Sequence, residues 1–273
     1  MSTADPEVFR NCVRALTRDG QHRVWSLIIT IFGDLAQDPG ERISGAVLSR
    51  ILGEVGVRPE AMRVALHRLR KDGWIESRRA GRASLYQLSA HGRAQSAAAS
   101  PRIYARKPAA PDMWHLLLAD SGESTGTREL EHRLVGGDYL QLASNALLGK
   151  GPAPRDCDGL FAIEGHTASV PGWLRERICP DALCTAYRQL KEALEQVCEQ
   201  LEGAPLLPPL QAATLRVLLV HSWRRVLLRH PDLPEEFFPE GWPGSACREM
   251  VNGLLDRLER PALDALERES MAP

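Results

Sequence analysis

The stretch GVRPEAMRVALHRLRKDGWIESRRAGRASLYQL, residues 56–88, combines one helical pattern with two short strand patterns. Its apolar side chains recur at the i, i+3, i+4, i+7 spacing that marks one face of a helix: Met62, Ala65, Leu66 and Leu69. Pro59 suits the first turn of that helix and Gly73 the position after its end, so we expect it to run from Pro59 to about Asp72. The segments WIESR and SLYQL then form strand patterns on either side of RAGRA, whose Gly81 favours a hairpin turn.

Helices are also predicted before this stretch. HRVWSLIITIFGDLAQ, residues 22–37, has its large apolar side chains at helical spacing. Ser44 is suited to cap a short amphipathic run, GAVLSRIL. Residues 1–21 are expected to form a polar arm with one short helix around Val8 to Leu16. Three helices followed by a two-stranded hairpin is the chain order of a winged helix-turn-helix.

Positive charge is concentrated in the same region. Between Arg58 and Arg82 lie eight basic and three acidic side chains, a local charge of +5 in a chain whose formal net charge is -1. Such a patch is typical of a surface that binds a polyanion, although a solvated charged face is the alternative that composition leaves open. Its position on both the third helix and the hairpin favours duplex DNA. The expected DNA contacts are Arg58, Arg63, His67, Arg70, Lys71, Arg79 and Arg82.

Different parts of this surface are expected to meet different parts of the duplex. Arg63 and His67 are predicted to reach base edges or phosphates in the major groove. Arg79 and Arg82 flank the hairpin tip, and we expect them to touch the phosphate backbone or the minor groove. Arg68 is expected either to belong to this DNA-facing surface or to pack along the core of the module. Trp74 begins a strand and is predicted to belong to the core.

The middle of the chain has a different pattern. Ser89 to Ala110 is small, polar and marked by proline, which indicates a domain boundary that is part helix and part linker. Residues 112–120, DMWHLLLAD, predict a buried strand, TRELEHRLVGG a short helix, and DYLQLA, NALLGKG and GLFAIEG three more strands. This β-α-β-β-β order over about 60 residues suggests a ferredoxin-like sandwich.

The last part of the chain is predicted to be helical. PDALCTAYRQLKEALEQVCEQLEG has a 3.5-residue apolar repeat, which marks a seam against a helix of the same chain or of a dimer partner: Leu183, Tyr187, Leu190, Leu194, Val197 and Leu201. ATLRVLLVHSWRRVLLRH is apolar around most of its circumference and should be the most buried helix of this region.

Two arginines interrupt that apolar helix. Arg224 and Arg225 are adjacent and cannot share one helical face, so at least one should point inward. A buried guanidinium needs an anionic partner, either a structural carboxylate such as Glu235 or Glu236 or a phosphate of a ligand. His221, one turn earlier, is open to the same two interpretations.

Together these patterns predict an α+β protein with an N-terminal winged helix-turn-helix, a ferredoxin-like middle domain and a helical C-terminal domain. The expected boundaries are 1–92 for the DNA-binding domain with its arm, 93–111 for the linker, 112–178 for the middle domain and 179–273 for the C-terminal domain. The last of these would carry dimerisation and the response to an effector.

Other features exclude several classes. No apolar run approaches the roughly 18 residues of a membrane span, and the N-terminus lacks the pattern of a signal peptide, so we expect a cytoplasmic protein with no membrane partner. Six cysteines without a CxxC pair indicate reduced, mostly buried thiols rather than disulfides. No metal site, cofactor or catalytic residue is predicted.

Two stretches resemble the PaaX family, bacterial repressors of phenylacetate-degradation genes. The first is MRVALHRLRKDGWIESRRAGRASLYQLSAHG and the second, more specific one is HSWRRVLLRHPDLPEEFFPEGWPGSACR. The likeness spans roughly residues 22 to 265. Two departures stand out: Arg58 occupies the cap position before the third helix, which weakens that cap by about 1 kcal/mol, and SGESTGTREL in the middle region is weakly patterned.

The resemblance implies a homodimeric repressor, associated with the bacterial nucleoid, that binds double-stranded operator DNA. It also implies release by an aryl-acyl coenzyme A thioester such as phenylacetyl-CoA, for which His221, Arg224 and Arg225 are the candidate contacts. Two alternatives remain: a metal-dependent nuclease that uses Asp120 at the end of the first middle-domain strand, and an architectural DNA- or RNA-binding protein without an effector.

Overall fold

The computed structural model describes residues 6–18, 23–81, 83–107, 112–120, 124–134, 139–166 and 169–271. Helices and two antiparallel sheets make up these residues, so the α+β class expected from the sequence is confirmed. The chain divides into two compact units. Unit 1 contains Met1–Tyr104, Gln189–Arg224 and Glu249–Pro273, and unit 2 contains Ala105–Arg188 and Arg225–Arg248.

Unit 1 begins with α1 (Pro6–Thr17), α2 (Val24–Leu35), β1 (Ile43–Ser44), α3 (Gly45–Glu54), α4 (Pro59–Lys71), β2 (Ile75–Ala80), β3 (Ala83–Leu88) and α5 (Ala90–Ile103). Helices α2, α3 and α4 and strands β2 and β3 are those predicted from residues 22–88. Ser44 caps α3 as predicted, because its side chain accepts a hydrogen bond from the amide of Val47. Arg58 precedes α4 without any side-chain cap, as its chemistry requires.

The N-terminal helix is not a solvated arm. Helix α1 buries Phe9, Cys12, Ala15 and Leu16. The side-chain amide of Asn11 also donates to Gln200, 3.1 Å away. The short helix predicted around Val8 to Leu16 is confirmed. Its description as part of a polar arm is wrong, because apolar side chains three and four residues apart give the helix a face that packs within unit 1.

The first sheet has three strands in the order β1-β3-β2, all antiparallel. Strands β2 and β3 pair from Ile75 opposite Leu88 to Ala80 opposite Ala83. Gly81 lies in the turn between them with φ +59°, a conformation that glycine adopts without strain. The predicted hairpin is confirmed, and β2 is an edge strand of its sheet.

Helix α5 occupies most of the segment that was expected to be partly a linker. Ser89 caps it by accepting from the amide of Gly92. At its other end, the indole Nε1 of Trp223 donates to the carbonyl oxygen of Ile103 at 3.0 Å. These bonds fix the helix within unit 1.

Unit 2 contains the second sheet. Its strands are β4 (Trp114–Ala119), β5 (Tyr139–Ala143), β6 (Ala146–Lys150) and β7 (Leu160–Gly165), with α6 (Ser124–Leu134) between the first two. All pairs are antiparallel and the order is β5-β6-β4-β7. The four predicted strands and the predicted helix are therefore confirmed. A small core joins α6 to the sheet through Leu117, Ala119, Leu130 and Leu147.

The remaining helices are α7 (Gly172–Ile178), α8 (Asp181–Leu201), α9 (Pro209–Leu227), α10 (Gly244–Arg257) and α11 (Leu263–Ser270). Every residue of the apolar repeat on α8 is buried by the chain itself, so this stripe is an intramolecular seam and is not available to a dimer partner. Helix α9 is buried around most of its circumference, as its sequence predicts.

The prediction that all cysteines are reduced is wrong for one pair. Cys179, which follows α7, and Cys184, in the first turn of α8, form a disulfide. The turn at Pro180 brings their Cα atoms to 5.8 Å, which lies within the usual range for a disulfide. The four free cysteines are Cys12, Cys157, Cys198 and Cys247.

Candidate nucleic-acid interface

One face of α4 is buried and the other is fully presented to solvent. Ala65, Leu66 and Leu69 pack into unit 1. The cap residue and the polar residues of the opposite face are all exposed: Arg58, Arg63, His67, Arg70 and Lys71. Arg63, His67 and Arg70 follow one another at i, i+4 and i+7, so they form a row along one side of the helix.

Two arginines of α4 have carboxylate neighbours on the same helix. The Nη2 of Arg63 lies 2.8 Å from Glu60, and the Nε of Arg68 lies 3.5 Å from Asp72. All four side chains are largely exposed, so these pairs are weak and can be exchanged for a stronger anion. Arg68 points to solvent, which excludes the interpretation that it packs along the module.

The hairpin continues the exposed surface of the helix. Arg70 donates through Nη1 to the hydroxyl of Ser77 on β2, 3.2 Å away. Arg79 lies two residues further along the strand, and because side chains alternate it is on the same sheet face as Ser77. Beyond Ile75, every residue of β2 is exposed on both faces. Arg82 lies outside the described residues.

The base of the hairpin is fixed to the end of α4. The hydroxyl of Ser89 donates to the carbonyl oxygen of Gly73 at 2.5 Å, and the amide of Ser89 donates to the carbonyl oxygen of Trp74 at 3.0 Å. Gly92 leaves no room for a side chain, since a Cβ there would lie 2.1 Å from the carbonyl oxygen of Trp74. Trp74 is half-buried, with its ring edge against His91. The helix and the hairpin therefore form one rigid surface.

Sequence reasoning missed one residue of this surface. Val64 is 69% exposed, next to Arg63 and one turn before Arg68. A large apolar side chain on the solvent face of a charged helix has no packing role here, and the major groove offers thymine methyl groups to such side chains. Val64 lies outside the i, i+3, i+4, i+7 stripe of buried residues, and this position in the sequence could have indicated that it is exposed.

The three candidate effector residues are not brought together in one open pocket. His221 is buried, and its Nδ1 lies 3.2 Å from the hydroxyl of Thr30. Arg225 is exposed. Arg224 is half-buried and donates to the same hydroxyl at 3.2 Å. Burial lowers the pKa of its guanidinium, and the nearby Tyr104 opposes that shift.

The expected carboxylate partners of Arg224 are not used. Among the residues that the structure describes, neither Glu235 nor Glu236 pairs with it, and Glu235 instead accepts from the hydroxyl of Ser245 at 3.1 Å. These glutamates are close to Arg224 in the sequence, but they belong to a proline-rich segment, residues 231–244, that packs elsewhere within unit 2. There the rings of Phe238 and Trp242 stack at 4.5 Å between centroids.

Each unit has a concave site. In unit 1, a cavity of about 40 Å³ lies among α2, α5 and α9. In unit 2, an open depression of about 630 Å³ is lined by Arg175 and by residues 235, 236 and 238–242, which include three glutamates.

Features tied to the other hypotheses can also be located. Asp120 is exposed and directly follows β4, as predicted. Within the described part of the chain, no group of three or more His, Cys, Asp and Glu side chains is arranged to hold a metal ion. None of the described helices has the length and apolar character needed to cross a lipid bilayer.

Comparison with known proteins identifies the family. A model described as PaaX-like protein matches residues 23–92, and one described as PaaX-like protein C-terminal domain matches residues 180–268. Together they cover more than half of the chain. The chain belongs to the PaaX-like family. It is also similar to the transcriptional repressor PaaX of Escherichia coli strain K12, with 29% identity over 256 residues that cover 87% of this chain and 81% of that protein. The first PaaX-like match contains α4 and the hairpin, and the second contains the α8 seam and the whole proline-rich segment, residues 231–244.

Proposed function

We propose that this protein is a DNA-binding transcriptional repressor, and that residues 24–88 are its winged helix-turn-helix. The observation that carries the proposal is the single exposed surface formed by α4 and β2. It presents Arg63, His67, Arg70 and Arg79, while the opposite face of α4 is buried. A helix of this kind fits the major groove, and the hairpin then lies along the flanking backbone.

The target of repression is an operon for the breakdown of phenylacetate-type aromatic acids in a bacterial cytoplasm. This part of the proposal rests on membership of the PaaX-like family and on similarity to a transcriptional repressor over most of the chain. It describes a regulator rather than an enzyme.

Two copies would act together on the operator. A single module of this size buries too little DNA for tight specific binding, and a dimer places two recognition helices about 34 Å apart on successive major grooves. Since the stripe on α8 is covered within the chain, the dimer contact must use another surface.

The middle of the chain supports a ferredoxin-like domain in the proposed four-part division 1–92, 93–111, 112–178 and 179–273. When β4, β5, β6 and β7 are numbered 1 to 4, the strand order of this sheet is 2-3-1-4, and all neighbouring strands are antiparallel. One helix, α6, follows the first strand. The second helix of that fold is replaced by turns, since residues 151–159 contain no helix.

An aryl-acyl-CoA thioester such as phenylacetyl-CoA would release the protein from DNA. The thioester must bind one dimer geometry more tightly than the other, and a hundredfold release requires about 2.7 kcal/mol of coupling. The cavity beside Arg224, at about 40 Å³, is too small for a coenzyme A molecule. We therefore expect the thioester to use other residues.

DNA binding is tested by fluorescence anisotropy. A duplex is selected from a random pool with the full chain, and its affinity is compared with that of a scrambled duplex over a salt series. We expect the logarithm of the affinity to fall by about 0.9 for each phosphate contact per tenfold rise in salt, giving a slope of several units. A slope near zero would contradict the proposal.

Variants then separate base contacts from backbone contacts. Arg63→Ala is expected to lower discrimination between the two duplexes by about 1–3 kcal/mol, while Arg79→Ala weakens both alike and reduces the salt slope. Arg268→Ala is the matched control, because Arg268 is equally exposed and pairs with Asp264 on its own helix. If Arg63→Ala weakened both duplexes equally, its assignment to base edges would be wrong.

Release is tested separately on the same labelled duplex. Phenylacetyl-CoA should raise the melting temperature of the protein and displace the duplex, whereas coenzyme A alone should do neither at the same concentration. If DNA binding is intact but no thioester has an effect, the proposed effector is wrong, whereas the proposed repressor function stands.

A further inference from the structure

The cavity in unit 1 lies directly behind the candidate interface. Its walls come from α2, α5 and α9, together with Trp74 at the junction of α4 and the hairpin. Its volume of about 40 Å³ exceeds the roughly 15 Å³ that a single water requires. A ligand of a few heavy atoms therefore fits within it.

Arg224 gives this cavity a positive charge without a balancing carboxylate. Its Nη1 donates to the hydroxyl of Thr30 at 3.2 Å. Its Nε and Nη2 make no hydrogen bond with any residue that the structure describes. The Thr30 hydroxyl already donates to the carbonyl oxygen of Ser26 at 2.9 Å, so it can only accept from Arg224 and cannot neutralise it.

The carboxylate in the cavity wall is committed elsewhere. Asp34 accepts from the hydroxyl of Tyr104 at 2.7 Å and from the Nε of Arg216 at 2.8 Å. Its side chain is 1% exposed, and Arg216 balances its charge. The Asp34 and Arg216 charges cancel, which leaves the positive charge of Arg224 uncompensated. A bound anion would balance this partly buried charge.

A further polar group in the wall lacks a partner. The hydroxyl of Ser96, on α5, is buried and makes no hydrogen bond with the described residues. Its side chain lies opposite Gly33 of α2, whose missing side chain keeps the cavity open. A hydroxyl can donate to an anion that the guanidinium attracts.

We propose that this cavity is a binding site for a small carboxylate anion, held by the free edge of the Arg224 guanidinium and by the Ser96 hydroxyl. The planar fork formed by Nε and Nη2 matches the two oxygens of a carboxylate. The cavity volume of about 40 Å³ suits an anion of the size of formate or acetate. The site is independent of the proposed function, and its test uses no DNA.

The test measures binding of sodium acetate to the full chain by calorimetry and by thermal shift, against sodium chloride at the same ionic strength. We expect acetate to bind and to raise the melting temperature, and sodium benzoate, whose ring exceeds the cavity volume, to bind more weakly. Equal shifts with acetate and chloride would show a general salt effect and overturn the proposal. Benzoate binding as tightly as acetate would overturn the size limit.

Adjacent arginines on α9 provide a matched pair of variants. Arg224→Gln should weaken acetate binding at least about tenfold, as expected for loss of a charge-assisted hydrogen bond. Arg225→Gln, at an exposed position on the same helix, should leave it unchanged. Ser96→Ala should weaken binding by about threefold to tenfold.

Folding of the variants is checked in chloride alone. Arg224→Gln removes no ion pair, so its melting temperature without acetate should stay close to that of the parent protein. Should it unfold, Arg224→Lys provides the test, because it keeps the charge but loses the planar fork and should still bind acetate more weakly. Acetate binding that survives both substitutions would place the anion elsewhere.

Discussion

Replacing Asp34 by asparagine should destabilise the protein strongly while changing its shape very little. The Asp34 side chain is 1% exposed and that of Arg216 is 11% exposed, so the pair is shielded from water on both sides. Asparagine keeps the volume of aspartate but carries no charge, which leaves the Arg216 guanidinium unbalanced. Breaking a buried pair from one side costs about 3–5 kcal/mol.

The lower half of that range is expected for this pair. Arg216 keeps two further acceptors, the carbonyl oxygens of Leu255 at 3.2 Å and Leu258 at 2.9 Å. Tyr104 loses charge-assisted bonding but can still donate to the amide oxygen of asparagine. We therefore expect Asp34→Asn to lower the free energy of unfolding by about 3 kcal/mol.

Urea unfolding followed by circular dichroism measures this loss. Asp264→Asn is the matched control, because Asp264 also pairs with an arginine but lies on the surface, where solvent screens the pair. The control should not move the urea midpoint measurably. The double variant Asp34→Asn with Arg216→Met should lose less than the sum of the two single losses, since it leaves no unpaired charge. Equal losses for Asp34→Asn and Asp264→Asn, or simple additivity in the double variant, would refute the reasoning.

Three further outcomes are expected. Burial raises the pKa of the Cys12 thiol to about 11 from 9.0, so its neutral form stabilises the fold fully below pH 9 and this contribution declines as the pH rises towards 11. The difference in unfolding free energy between the parent and Cys12→Ala should therefore shrink over that interval, and a constant difference would contradict the burial argument. Alkylation of the unfolded, unreduced chain should modify four of its six cysteines, and all six after reduction, because Cys179 and Cys184 are paired. Gly92→Ala should lower the free energy of unfolding by about 1–3 kcal/mol, because the new methyl group would overpack against a main-chain oxygen. Gly53→Ala, in open space on α3, should raise it by about 0.5–1 kcal/mol. Thermal melts in which both changes had the same sign would disprove this contrast.

Patterns with a short period were sufficient to predict most elements. The i, i+3, i+4, i+7 stripe of α4, the Ser44 cap and the short apolar strand segments of unit 2 each depend on neighbouring residues, and the structure contains all of them. The exposed row on α4 follows from the same periodicity. By contrast, the contacts of that row with DNA stay a prediction, because exposure alone does not identify a partner.

Features that depend on distant residues were missed. A helix was predicted around Val8 to Leu16, but its packing within unit 1 was not, because Gln200 of α8, to which Asn11 donates, lies far along the chain. Cys179 and Cys184 pair because a proline turn brings two helix ends together, a geometry that spacing alone does not reveal. The partner of Arg224 was expected to be either a carboxylate such as Glu235 or Glu236 or a phosphate of a ligand. In the structure Arg224 donates to Thr30, which sequence periodicity cannot indicate.

Strand β2 leaves one row of main-chain amides and carbonyls unpaired along its outer side, since it ends the order β1-β3-β2. A bare strand of this kind invites another chain to add to it and begin an aggregate. The guanidinium groups of Arg78 and Arg79 and the carboxylate of Glu76 stand on that strand and oppose such growth. Variants made to probe this hairpin should therefore carry small polar replacements, because isoleucine or valine there would favour self-association.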